Sequence, residues 1–188
     1  MKRILGLVLS AAILFTALGI VTAANWGDSF TVTLTPTGDR GVIIDTTTVA
    51  MGDLVLGTTN STTSPIPVIS TGTLAPIEYT MNGSIAGGWA LSADGSASAQ
   101  NELAVFALFN AAAPATGDFA SSTSRNLLVT SAQQVADGAP GKYEGDEDLD
   151  SMSLNALRHL WLKLITPPTA SIIATQTVTI TITAEAAD

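Results

Sequence analysis

Asp146, Asp148 and Asp150 stand at alternating positions in YEGDEDLDS, a spacing that lets carboxylates converge on a hard cation such as Ca²⁺. The likeness to a calcium-binding loop ends there. The sixth position is Ser151 where such a loop needs Gly, and the twelfth is Leu157 where it needs Glu. A solvated acidic loop accounts for the same residues, and a cation bound there would serve to order the loop. No other cofactor is expected. His159 is the one histidine, and without cysteine or a second histidine the chain lacks the usual partners for zinc or for a thiol nucleophile. No serine lies in a G-x-S-x-G turn, no glycine-rich loop could cradle phosphate, and no pair among the sixteen acids is set apart for glycoside hydrolysis. The chain therefore reads as non-enzymatic, with a hydrolase the least supported alternative. Trp89 and Trp161, with Tyr79 and Tyr143, are candidates for a sugar-stacking face. Asn60 and Asn82 head N-x-S/T sequons, used only in a host that glycosylates exported proteins.

The N-terminus supplies a compartment. Residues 1–24, MKRILGLVLSAAILFTALGIVTAA, carry two cations, then an apolar run, then small residues, the order of a secretory leader that is cut near Ala24. A retained anchor is the alternative, since Ile4 to Ala24 is uncharged and close to the length a spanning helix needs. Cleavage would leave about 164 residues, enough for one domain with a substantial core. It would also leave five basic residues against sixteen acidic, a net charge of −11 that repels nucleic acid and anionic lipid. The expected location is extracellular or on the cell surface, with no membrane contact after cleavage.

The elements that must position these residues are short strands. SFTVTLTP alternates Phe30, Val32 and Leu34 with threonines and should end at Pro36. GVIID and VAMGDLVLG follow, the second bulged or bent at Gly52; SPIPVIST, with two prolines, reads as an edge strand or crossing segment. PIEYTMNGSI puts Ile77, Tyr79 and Met81 on one face, and NELAVFALFNAAAP reads as a strand buried on both faces. From about 115 to 152 the composition turns to Gly, Ser, Asp and Ala, the mark of a long surface excursion. ALRHLWLKLITPP fits either helix or strand; its prolines and the strand that follows favour the strand, with His159, Trp161 and Lys163 on a solvent-facing side. TQTVTITITAEAAD closes the chain with Val178, Ile180 and Ile182 on one face, in position for an antiparallel pairing with residues 157–165. Eight or nine such strands in residues 25–188 predict an all-β, single antiparallel β-sandwich, immunoglobulin-like or jelly-roll-like, after an N-terminal signal helix.

FTVTLTPTG, LVLGTTNSTTS, GGWAL, NELAVFALFN, HLWLKLITPPTAS and QTVTITITAEA, behind a leader, resemble small exported bacterial proteins that form single immunoglobulin-like sandwiches. The resemblance implies that fold over nearly all of the mature chain, and its motifs are strand and turn signatures without a site. A looser likeness is to secreted biofilm-fibre and pilus subunits, and it concerns the fold alone. The reading is a structural protein of the cell surface or extracellular matrix that self-assembles by strand exchange. Its partner would be itself or a cell-surface component, and Phe30, Val32 and Leu34 would supply the exchanged strand. The alternative is a glycan- or surface-binding module that uses Trp89 and Trp161.

Overall fold

The computed structural model describes residues 28–37, 40–46, 48–119, 126–131, 133–134, 142–143, 145–147 and 149–187. The expected leader, residues 1–24, lies outside them. Eleven strands are present among the described residues: Asp28–Thr37 (β1), Gly41–Ile44 (β2), Thr48–Leu54 (β3), Thr59–Ser61 (β4), Ile66–Thr71 (β5), Ile77–Ala86 (β6), Ala90–Leu91 (β7), Glu102–Phe109 (β8), Gln133–Gln134 (β9), Leu157–Ile165 (β10) and Gln176–Ala186 (β11). One sheet runs β3-β1-β11-β6-β9. The other runs β2-β5-β10-β8-β7, with β4 beside β10. The described chain is thus all-β, as its alternation predicted. The sheets are mixed rather than purely antiparallel, because β1 runs parallel to β11 and β7 parallel to β8.

β11 shows why the layers form. Val178, Ile180, Ile182 and Ala184 are buried while the intervening threonines stay half-exposed, so one face enters the core and the other carries hydroxyls. The strand is enclosed by β1 on one side and β6 on the other. It does not pair with β10, contrary to the antiparallel pairing its sequence suggested. β10 lies in the opposite sheet, and residues 166–175 cross between the layers. The reason is packing: β10 is apolar on both faces, so it lies in the second sheet with Leu160, Leu162 and Leu164 meeting the β11 aliphatics in one core and Trp161 under the outer cluster. Each such side chain, fully buried, contributes about 1.5–3 kcal/mol relative to exposure.

Three local features depart from or refine the pattern. β1 continues through Pro36 to Thr37, since its ladder with β3 ends at Thr33 and beyond that point it has a single hydrogen-bonded neighbour. β5 is an inner strand despite Pro67, because β2 pairs with it only from Val68 to Thr71, and Pro67 therefore falls beyond the end of that ladder. At Gly52, whose φ is +69°, the β1–β3 register slips so that Met51 is the extra residue of a bulge.

β8 is buried at every residue from Leu103 to Phe109. Its alternate residues serve two cores. Leu103, Val105, Ala107 and Phe109 face the sandwich interior, while Ala104, Phe106 and Leu108 join Trp161, Phe119 and Leu127 in a second cluster on the outer face. Residues of the segment read as an excursion therefore act as a lid: Phe119 and Leu127 cover the outside of β8 and β10, and Leu128, Tyr143, Leu149 and Met152 reach the main core. Leu128 lies flat on Gly83 of β6, where an added Cβ would meet its Cδ2 and, at 2.8 Å, its Cγ. Gly83→Ala should consequently overpack this contact and lower stability by about 1–3 kcal/mol. The check is chemical denaturation of the variant with Leu128→Ala as background, in which the penalty should shrink.

Candidate functional site

The acidic loop is built by hydrogen bonds to its own chain. The Asp146 carboxylate accepts the Ala111 amide at 2.6 Å, and the Asp146 amide donates to Asn110 Oδ1 at 2.9 Å. Glu147, which stands between the alternating aspartates, is the anchor. One of its oxygens accepts the His159 amide and the other meets His159 Nδ1, both at 2.7 Å. The carboxylate thereby clamps the loop to the start of β10 and positions the imidazole. Asp148 lies outside the described residues, and Asp150 is exposed. Among the described residues no three His, Cys, Asp or Glu side chains come together as a metal site.

The face of β10 that carries His159, Trp161 and Lys163 does not point to solvent, as its alternation had suggested. The lid residues cover it. His159 is half-exposed, but Trp161 and Lys163 are each only 5% exposed. The Trp161 indole donates to the Asn110 carbonyl at 2.8 Å. The Lys163 ammonium donates to the carbonyls of Phe119 at 3.1 Å and Thr116 at 3.4 Å, and sits 4.4 Å from the Phe106 ring centroid and 5.3 Å from that of Phe119. Carbonyl dipoles and ring faces thus solvate this cation in place of water. Burial holds its pKa below the ordinary lysine value.

Trp89 is internal as well. It follows the positive-φ pair Gly87 and Gly88; its indole donates to the Ile172 carbonyl and its amide to Gln176 Oε1, each at 3.1 Å. Tyr79 and Tyr143 are fully buried, the latter donating to the Leu127 carbonyl at 3.0 Å. Trp89 and Trp161 therefore form no exposed stacking face; each is a wedge with its polar tip satisfied inside the fold.

The candidate exchange strand, β1, lies between β3 and β11. Val32 is fully buried, opposite Val178 on one side and Val49 on the other. The side chains of Phe30 and Leu34 lie outside the described residues. Beside β3, between it and residues 60–66, runs a groove of about 410 Å³ with Val49, Met51 and Ile66 among its apolar lining and Ser, Thr and Asn hydroxyls and amides around them. Asn60 lines this groove and donates to Thr58 Oγ1 at 3.0 Å; Asn82 lies on β6 and donates to the Thr130 carbonyl at 3.3 Å. The groove has no signature in the sequence, because its two walls come from different sheets. Glu147 could have been singled out only by knowing that the loop folds back on β10. Compared with known proteins, the chain matches no family model, no curated protein and no solved structure.

Glu147→Ala should cost about 1–3 kcal/mol, since it leaves the His159 amide without its charged acceptor. Amide hydrogen exchange should locate the loss at residues 145–150 and the start of β10, with the rest of the sandwich unchanged. Lys163→Met tests the buried cation. With its folded pKa below 10.5, the unfolded chain holds a proton that the folded chain has released in the interval between the two values, so stability rises with pH across that interval. Unfolding measured through that window should show the rise in the wild type and its loss in the Met variant.

Proposed function

We propose that this chain is an exported, non-enzymatic structural protein whose immunoglobulin-like sandwiches join by exchange of β1. The observation that carries the reading is the place of β1. The first described strand lies inside its sheet, parallel to the last strand, held by eight residue pairs to β11 and by a bulged ladder to β3. Parallel ladders are somewhat weaker per residue than antiparallel ones, and the bulge interrupts the other side. An identical β1 from a second copy would restore every one of these pairs, so exchange costs only the transient opening and the entropy of association.

Other features support an exported scaffold. The leader pattern and the acidic, sparsely charged composition suit an extracellular protein. The acidic loop, the lone histidine, Trp89 and Trp161 are committed to internal contacts that hold the fold. The carrying strand can be locked in its own chain. Thr33 and Thr179 are paired across β1 and β11, and the chain has no other thiols to interfere. Thr33→Cys with Thr179→Cys should form an intrachain disulfide that blocks filaments under oxidising conditions and permits them after reduction, as judged by negative-stain microscopy. Filaments that assemble equally well from the locked protein would overturn the proposal.

A further inference from the structure

The strands at the sheet margins are unequal. β2 has four residues, β4 three, and β7 and β9 two each, lengths that give a neighbouring chain little to pair with. β3 has seven, and among the described residues only one of its sides is taken, by β1. Its other side adjoins the groove, where Val49 and Met51 are half-buried and Ile66 forms part of the lining. From Thr46 to Gly52 the strand carries no charge, and neither does the opposite wall from Asn60 to Ile66. In a chain with a net charge of −9, this is a margin where two copies can meet without bringing acids together.

We infer that the free side of β3 pairs antiparallel with β3 of a second copy, joining two five-stranded sheets into one across a two-fold axis. The flanking charges select this arrangement. Asp45 and Asp53 bracket the neutral stretch. A parallel, in-register pairing would stack Asp53 on its own copy, whereas an antiparallel pairing centred on Ala50 sets Asp53 against Thr47 and Asp45 against Val55. Two-fold symmetry requires one residue to face itself, because direct pairs alternate between hydrogen-bonded and non-bonded types and the axis must pass through one of them. Ala50, exposed and with the smallest side chain among Thr48, Val49, Ala50 and Met51, meets that requirement with least crowding. Val49 then lies opposite Met51 in both halves. The bulge at Met51 and Gly52 limits the regular stretch, so the contact is short and reversible. It is also independent of strand exchange: β1 uses the other side of β3, whichever copy supplies it.

The absence of native cysteine makes the test direct. In the full exported chain, Ala50→Cys should place two thiols face to face, and mild oxidation should give a disulfide-linked dimer at least tenfold faster than Ile173→Cys, a control at a site 55% exposed and far along the chain. Sedimentation of the wild type should show a concentration-dependent dimer that Ala50→Lys removes while its thermal transition stays in place. Equal cross-linking rates for the two cysteine variants, or a wild type that remains monomeric at every concentration, would overturn the inference. Running both assays on the Thr33–Thr179 locked protein separates the two contacts: the β3 dimer should survive the lock that stops exchange.

Discussion

The structure depends on two consecutive strands, β10 and β11, facing each other across the sandwich. Their aliphatic residues, Leu160, Leu162 and Leu164 against Val178, Ile180 and Ile182, bury into one core from opposite sheets. Each strand is central in its layer, and most of the remaining strands take their places as direct or second neighbours of these two. The crossing between them is pinned at Thr166, whose hydroxyl donates to the Val55 carbonyl at 2.8 Å and accepts the Thr58 amide at 3.0 Å. That pin links the crossing to the β3–β4 connection and so to the groove beside β3.

The second constraint is that β8 and β10 are apolar on both faces. A two-layer sandwich can cover only one face of a sheet, so the other needs a lid, and residues of the long connection between β8 and β10 supply it. The lid is fastened by polar contacts at fixed points: Trp161 to Asn110, Lys163 to Phe119 and Thr116, and Glu147 to His159. A lysine within an apolar cluster costs desolvation, yet it supplies a donor to the Phe119 carbonyl in the buried part of the lid. Of the three aspartates that suggested calcium, Asp146 accepts the Ala111 amide, and its neighbour Glu147 accepts the His159 amide.

Assembly then becomes a question of margins. Among the described residues four of the five marginal strands are short, while β3 is longer, neutral from Thr48 to Gly52 and beside an open groove. β1, by contrast, is interior yet sits at the start of the described chain and is held in part by a parallel ladder. Exchange through β1 would propagate head to tail, while the proposed pairing through β3 would be symmetric and close on itself. Together the two proposed contacts would give linear growth with lateral pairing of strands of subunits.

Much of the secondary structure was legible in the sequence because side-chain alternation is a local property: the strand β11, the bulge at Gly52 and the two-sided burial of β8 all follow from residues within a few positions of each other. Composition likewise determined a chain without disulfides and with a surplus of acid. Which strands pair was decided only by the tertiary structure. β10 and β11 accept a hairpin or a crossing equally well by pattern, and the choice rests on burying both apolar faces of β10, a condition set by Phe119 and Leu127 far away in the chain. The same holds for the site residues. Trp161 and Lys163 alternate like solvent-facing residues, and Glu147 differs from its acidic neighbours in no local way; a lid closing over β10 makes the first two interior and the third an anchor, since burial is a property of what packs above a residue and not of its place in the strand.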